Sequence, residues 1–143
     1  MMQLSETDKK RFNEQLKRLQ LRPTKQRETV YALVCTYENH LSADQIFALS
    51  KKILPSISLA TVYNCLESLV ECDLVREINF GRRPTRYETT LREHAHFYCN
   101  DRDELHDIEL PKAIREQIIS ILPKGFNLET MNVKFTGTCD CHD

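Results

Sequence analysis

Five side chains of metal-binding type fall in the central part of the chain. His94 and His96 lie two residues apart in the stretch HAHFYC, a predicted strand, so both imidazoles project from one face. Glu88 precedes them by six residues, at the end of another predicted strand. His40, before a predicted helix, and Asp107, on the next predicted strand, add an imidazole and a carboxylate. Such donors bind zinc, iron(II) or manganese(II), and surface histidines are the alternative interpretation.

A second group of metal-type side chains lies near the C-terminal end. Cys139, Cys141 and His142 follow the last predicted strand, and Cys99 lies 40 residues before Cys139. These four residues can form a structural zinc site, with His106 as an alternative fourth ligand, or the end of the chain is a tail with reactive thiols. The remaining cysteines lie on or beside apolar helix faces and are predicted to be buried: Cys35, Cys65 and Cys72.

The segment from Ser58 to Val75 carries residues suited to contact with DNA. Ser58 can cap a helix whose apolar residues recur at helical spacing and predict a buried stripe: Leu59, Val62, Leu66, Leu69 and Val70. Thr61, Tyr63 and Asn64 remain on the outer face. At the front of the second helix of a helix-turn-helix, such side chains reach base edges in the major groove. An ordinary amphipathic helix is the alternative interpretation.

Caps and breakers predict the elements that position these side chains. Helices are expected over residues 7–20, from the cap Thr24 to about Tyr37, from the capping box Ser42–Gln45 to Pro55, and after Ser58. Strands at 74–80 and 86–90 are joined by GRRPT, a turn with two arginines at its tip. Three or four helices followed by a basic hairpin predict a winged helix.

The rest of the chain predicts a second, smaller domain of strand, strand, helix and strand. The fold class is therefore α+β, with a winged-helix domain over residues 1–85, a second domain over 86–143 and a hinge around 84–92. About 55 residues is near the lower limit for a self-sufficient core, so this domain needs a partner subunit, a metal, or both. Dimerisation would also supply two-fold symmetry for paired DNA half-sites.

Composition limits the class of protein. The chain has 143 residues, 41% of them hydrophobic, and a net charge of −1. It contains no apolar run of the roughly 20 residues that a membrane span needs and no signal-peptide core, so a cytoplasmic protein without a membrane partner is expected. Residues 1–83 carry 13 basic and 10 acidic side chains, against 7 and 11 in residues 84–143. The basic excess suits phosphate contact, although a solvated helix face would look the same.

Taken in order and spacing, the motifs resemble those of the ferric uptake regulator family of bacterial metal-sensing and peroxide-sensing transcription factors. They are LRPTKQR at 21–27, NHLSADQIF at 39–47, PSISLATVYNCLESLVECDLV at 55–75, RYE at 86–88 and HAH at 94–96. The resemblance implies a winged helix, a C-terminal dimerisation domain and a homodimeric repressor rather than an enzyme. It also implies binding to double-stranded operator DNA when iron(II) or manganese(II), with zinc(II) as an alternative, fills an interdomain site.

Carried over by position, the resemblance implies a regulatory metal site of five residues: His40, Glu88, His94, His96 and Asp107. Tyr63 matches a base-contacting tyrosine, and Arg22 matches a basic residue that enters the minor groove. Asn64 stands where many members carry arginine, and asparagine favours adenine over guanine. The family's two Cys-x-x-Cys pairs are incomplete here, as Cys99-Asn-Asp-Arg102 and Cys139-Asp-Cys141, which rules out four-thiolate zinc ligation at those positions.

Other functions stay open at this point. HFYCNDRDELHDIELP resembles the iron-response branch of the family, which lacks the two cysteine pairs and can respond to haem. Glu88, where peroxide sensors tend to carry Asp, favours a metal-uptake sensor over a peroxide sensor. A metal-independent DNA-binding dimer and a thiol redox sensor using Cys139 and Cys141 are further alternatives. A zinc enzyme is disfavoured, because neither a general base nor a Gly-rich phosphate loop accompanies the metal-type residues.

Overall fold

The computed structural model describes residues 4–37, 40–89 and 94–140. The chain divides into two compact units, residues 1–90 and 91–143. The described elements of the first unit are α1 (Glu6–Arg18), α2 (Lys25–Thr36), β1 (Leu41–Ser42), α3 (Ala43–Ile53), α4 (Leu59–Glu71), β2 (Val75–Ile78) and β3 (Arg86–Thr89). Those of the second unit are β4 (His94–Cys99), β5 (Glu104–Glu109), α5 (Lys112–Ser120) and β6 (Lys134–Gly137). Among the described helices, none has the length and apolar character that a membrane crossing requires.

Side-chain caps fix the starts of the helices that the sequence predicts. The Thr24 hydroxyl accepts a hydrogen bond from the amide of Arg27 at 3.2 Å, at the start of α2. At α3 the capping box is complete, because Ser42 Oγ accepts from the Gln45 amide and Gln45 Oε1 accepts from the Ser42 amide. Ser58 Oγ accepts from the Thr61 amide at 3.1 Å and starts α4. These bonds satisfy amides that a helix leaves without a partner, and they confirm the predicted caps.

The core of the first unit is formed largely by α2, α3, α4 and one face of α1. Five of its fully buried aliphatic side chains come from these four helices, and Leu74, between α4 and β2, adds a sixth: Leu16, Leu33, Ile46, Leu66 and Leu69 belong to the helices. Val62 is buried as predicted, but Leu59 is exposed and Val70 is only partly buried. The prediction for Leu59 was wrong because the first turn of α4 begins before the packed part of the helix, so the core contact starts at Val62.

The three cysteines predicted to be core residues lie in this unit. Cys65 and Cys72 are buried, and Cys35 is partly buried against the core. Burial raises the pKa of the Cys35 thiol to about 12, so it stays protonated at neutral pH. Burial also raises the pKa of the thiols of Cys65 and Cys72. These thiols therefore behave as small apolar side chains rather than as nucleophiles.

The first unit also contains a three-stranded antiparallel sheet in the order β1-β3-β2. Strand β3 pairs with β1 through Leu41 and Tyr87, and with β2 through Arg76 and Glu88. The sequence does not reveal β1, since two residues directly before a helix cap carry no periodicity. Its pairing is what ties the residue before it, His40, to the sheet that carries Glu88.

The second unit is a three-stranded sheet in the order β5-β4-β6 with one helix. Strand β4 pairs antiparallel with β5 and parallel with β6. The predicted order of strand, strand, helix and strand is observed, with β6 as the short last strand. None of the nine residues of α5, all of them described, is buried.

We predict that Ser58→Ala destabilises the protein by about 1 kcal/mol, because the first turn of α4 loses its side-chain cap. Urea unfolding followed by circular dichroism measures this loss. Ser56→Ala is the matched control, since Ser56 is exposed and lies just before the helix without capping it. Equal stability of the two variants would contradict the capping role of Ser58.

Candidate metal centre and nucleic-acid interface

In the first unit, one imidazole and one carboxylate form a buried pair. His40 Nε2 lies 3.0 Å from Glu88 Oε1, and their side chains are only 6% and 10% exposed. His40 has a φ of 56°, the left-handed region that few residues other than glycine adopt. Its carbonyl accepts a hydrogen bond from Arg86 Nη1 at 3.2 Å. The β1–β3 pairing and this bond together hold the imidazole beside Glu88.

The second oxygen of the same carboxylate contacts a guanidinium. Arg76 Nη2 donates to Glu88 Oε2 at 2.9 Å, and the two residues are directly opposite each other in the β2–β3 register. The Glu88 carboxylate thus has an imidazole on one oxygen and a cation on the other. Arg76 cannot be recognised from the sequence, because its contact with Glu88 depends on a strand register that spans the predicted turn.

In the second unit, two imidazoles and one carboxylate converge. Strand β4 places His94 and His96 on one face, with their ring centroids 4.6 Å apart. Asp107 is opposite His96 on β5, and its Oδ1 lies 3.1 Å from His94 Nε2 and 3.5 Å from His96 Nε2. The donor atoms of the three residues lie within 4.8 Å of one another. Since ligands about 2.1 Å from an ion lie roughly 3 Å apart, this group fits a divalent cation.

The exposure of these imidazoles decides between the two interpretations of His-x-His. The side chains of His94 and His96 are 11% and 8% exposed, whereas that of Asp107 is 51% exposed. Polar rings this deeply buried require partners, and the carboxylate on the neighbouring strand provides one. They are therefore not ordinary surface histidines.

The predicted cysteine site is only partly within the described residues. Cys99 Sγ and Cys139 Sγ are 3.2 Å apart, because the parallel pairing of Cys99 with Gly137 brings the end of β6 beside the end of β4. Cys141 and His142 lie outside the described residues, so the four-ligand zinc site stays a prediction. The alternative ligand, His106, has its Nε2 3.1 Å from Glu104 Oε2.

Asp101 is a neighbour of this thiol pair that the sequence analysis did not consider. The Cys99 thiol donates a hydrogen bond to Asp101 Oδ1 at 2.6 Å. This bond raises the pKa of Cys99 and lowers the pKa of Asp101, because it stabilises the thiol and the carboxylate together. Metal binding by Cys99 would therefore require the loss of that proton.

The residues predicted to contact DNA all belong to the first unit. On α4, Tyr63 and Asn64 are exposed, whereas Thr61 is half-buried and its hydroxyl lies 2.9 Å from Ser58 Oγ. Arg22 is exposed in the connection between α1 and α2. Thr61 therefore contributes to the cap of α4, and Tyr63 and Asn64 offer the free polar surface at its front.

One further arginine connects the segment that carries Arg22 to α4. Arg27 donates from Nε to Ser68 Oγ at 3.1 Å and from Nη1 to the carbonyl of Arg22 at 2.7 Å. Arg27 thus positions two parts of the candidate nucleic-acid interface. The sequence places Arg27 in the first turn of α2, but it does not predict the contact with Ser68, which is 41 residues away along the chain.

The comparisons with known proteins identify the family. The sequence model that describes the ferric uptake regulator family matches residues 18–136, which are most of the chain. The chain belongs to the ferric uptake regulator family. The ferric uptake regulation protein of Bacillus subtilis (strain 168) is 35% identical over 136 residues, which cover 90% of each chain.

Solved structures agree with this assignment. The ferric uptake regulator of Helicobacter pylori superposes with a TM-score of 0.81 at 21% identity, covering 97% of this chain and 93% of that one. The peroxide stress regulator of Campylobacter jejuni superposes with a TM-score of 0.73 at 31% identity, covering 91% and 96%. The predicted fold class, an α+β chain with a winged-helix domain and a C-terminal dimerisation domain, is confirmed.

Membership in this family also settles the broad class of function. Members of the ferric uptake regulator family are transcription regulators, so the chain is a DNA-binding, metal-binding regulator and the enzyme alternative is excluded. The relatives include both ferric uptake and peroxide stress regulators.

Proposed function

We propose that this protein is a dimeric, metal-dependent repressor that acts in the cytoplasm on operator DNA. Iron(II) or manganese(II) is the proposed co-repressor, with zinc(II) as the alternative ion. The observation that carries the proposal is the convergence of His94, His96 and Asp107 on the β4–β5 sheet, with both imidazoles buried. The pair His40 and Glu88 in the first unit supplies the same kind of donors.

The proposal assigns one ion to both sets of donors. One unit offers two donor residues and the other offers three, and neither set alone fills the six positions that iron(II) or manganese(II) prefers. Glu88 and His94 are only six positions apart in the sequence, so an extended chain allows at most about 20 Å between them. A single ion that takes ligands from both sets would select one arrangement of the DNA-binding unit, because it binds that arrangement more tightly.

The donor types support the proposed ions. All five side chains offer nitrogen or oxygen, which suits iron(II), manganese(II) and zinc(II), whereas thiolates would favour softer metals. When bound, the ion supplies two positive charges and a coordination sphere that links its ligands. The residues of the chain provide the geometry: β4 aligns the imidazoles, and the β1–β3–β2 sheet aligns His40 with Glu88.

A peroxide-responsive regulator of the same fold is the second candidate function. The 31% identity to the Campylobacter jejuni peroxide stress regulator favours it. The higher identity to the Bacillus subtilis ferric uptake regulation protein, together with Glu88 in place of the aspartate that peroxide sensors tend to carry, favours the metal-uptake function.

A second copy of the chain is the proposed partner of the second unit. Its described residues expose a set of large apolar side chains: Ile108, Ile114, Ile121, Leu122, Phe126, Leu128 and Phe135. So many exposed apolar residues in one small unit mark an interaction surface. A symmetric pair formed through this surface would present two α4 helices to two DNA half-sites.

The first unit is the proposed DNA-binding unit of each copy. Tyr63 and Asn64 are exposed at the front of α4 and are proposed to contact base edges, with Thr61 holding the start of the helix. Arg22 is proposed to contact the minor groove, and Arg27 holds its backbone.

We expect one of the three metals to tighten operator binding at least tenfold. The measurement is anaerobic fluorescence anisotropy on the DNA upstream of the protein's own gene at one salt concentration, comparing chelated protein with manganese(II), iron(II) and zinc(II). His96→Ala should lose the metal response, and Lys124→Ala, which removes an exposed side chain of the same unit that is not a candidate ligand, should keep it. Chelated protein that binds as tightly as metal-loaded protein would contradict the proposed function.

Tyr63→Ala should reduce the preference for operator over random DNA by about 1–3 kcal/mol, the value of a direct base contact. The affinities for both DNAs at one salt concentration give this difference. Arg22→Ala is the comparison, because loss of a positive charge close to the phosphates should weaken binding to both DNAs and flatten its salt dependence. An unchanged ratio for Tyr63→Ala would show that the ring makes no base contact.

Ile121→Glu should shift the protein from dimer to monomer, since a charge would enter the proposed apolar interface. Sedimentation equilibrium at micromolar concentration measures the change. Ile53→Glu is the matched control, because Ile53 is an exposed isoleucine at the end of α3 in the other unit. If both variants sediment as the unmodified protein does, the interface lies elsewhere.

A further inference from the structure

Glu88, a proposed metal ligand, already contacts a positive charge of the chain itself. Arg76 Nη2 lies 2.9 Å from Glu88 Oε2, and the opposite oxygen lies 3.0 Å from His40 Nε2. The β2–β3 register places Arg76 directly opposite Glu88, so the ion pair is built into the sheet. The Arg76 side chain is 25% exposed and that of Glu88 is 10% exposed, so solvent screens the pair incompletely.

We propose that Arg76 sets the metal affinity of this regulator by competing with the metal ion for the charge of Glu88. The inference rests on the proposed function, because it requires Glu88 to be a ligand of the regulatory metal. Arg76 would stay on Oε2 while the metal takes Oε1, the oxygen that faces His40. Its guanidinium would then make binding weaker than the ligands alone would give.

One physical effect distinguishes the metal-bound from the metal-free protein. In the metal-bound protein, a fixed guanidinium close to a divalent cation repels it, and partial burial preserves much of that repulsion. The contact between Arg76 and Glu88 Oε2 is present in both states, so its own energy cancels from the metal affinity. Removal of the charge on Arg76 therefore relieves repulsion in the bound state and raises the metal affinity.

An orienting role for Arg76 would act in the opposite direction. Groups that hold a ligand in place commonly contribute about 10-fold to 100-fold to metal affinity. The orientation of Glu88 is also fixed without Arg76, however, because its backbone lies in the central strand β3 and its other oxygen faces the ordered His40. Arg76 thus acts on this carboxylate mainly through its positive charge.

A lowered affinity suits a sensor. A regulator responds to changes in metal concentration near its dissociation constant, and an ion held too tightly would not leave when the concentration falls. Competition by a built-in cation weakens binding without removing any of the five donors. The same ion pair gives the Glu88 carboxylate a cationic partner in the metal-free protein.

The test is the manganese(II) affinity of the full-length protein, measured anaerobically by competition with a chelating dye at one pH and one salt concentration. Arg76→Met removes the charge and keeps most of the side-chain length, and Arg76→Lys keeps the charge. Arg82→Met is the matched control, because it removes one arginine from the exposed turn between β2 and β3. Melting temperatures of the metal-free proteins provide a second readout.

We expect Arg76→Met to bind manganese(II) at least 10-fold more tightly than the unmodified protein and to melt at a lower temperature without metal. Arg76→Lys and Arg82→Met should stay within about threefold of the unmodified affinity. If Arg76→Met does not fold, Arg76→Gln is measured with the same expectation. Weaker binding by the neutral variant, or an affinity equal to that of Arg82→Met, would overturn the proposal.

Glu88→Gln, measured in parallel, tests whether Glu88 is a metal ligand independently of the role of Arg76. If Glu88→Gln weakens manganese(II) binding but the neutral Arg76 variant does not tighten it, only the role of Arg76 is overturned. If Glu88→Gln leaves the affinity unchanged, Glu88 is not a ligand, and both the proposed interdomain site and the role of Arg76 are overturned.

Discussion

The pairing of β3 with β1 on one side and β2 on the other is the constraint on which the first unit's donors depend. Strand β3 carries Glu88, β2 brings Arg76 opposite it, and β1 holds the chain directly after His40. The hydrogen bond from Arg86 to the carbonyl of His40 fixes a backbone conformation that a residue other than glycine rarely adopts. A slip of one residue in either ladder would turn Glu88 away from its two partners.

The second unit has a small core and a large exposed apolar surface. Strand β4 is its central and most buried strand, whereas β5 and α5 are largely exposed and several large apolar side chains remain in solvent. A unit of about 50 residues has little core to offset the entropy of folding, so burial against a second copy would supply much of its stability. His94, His96 and Asp107 lie on β4 and β5, and the register of these two strands brings the three donors together.

Local signals predicted the parts of this structure that local interactions determine. The caps at Thr24, Ser42 and Ser58 follow from side chains that reach amides three residues away, and the shared face of His94 and His96 follows from the two-residue period of a strand. The order of motifs predicted the fold class through resemblance to a family. Contacts between distant residues were not accessible in this way: Arg27 reaches Ser68, Arg76 pairs with Glu88 across a register, and the two-residue β1 has no pattern of its own.

The composition of the core of the first unit affects how a metal could control DNA binding. Its core of helices α1 to α4 is formed by buried aliphatic and aromatic side chains, and the charge of Glu88 is compensated by Arg76. None of the proposed donors belongs to this hydrophobic core, so the binding free energy of a metal ion can instead select an arrangement of the chain. A tenfold preference for one arrangement corresponds to about 1.4 kcal/mol, which is small beside the affinity of a typical protein metal site. A sensor with a modest metal affinity can thus still act as an effective switch, provided that its ligands come from both units.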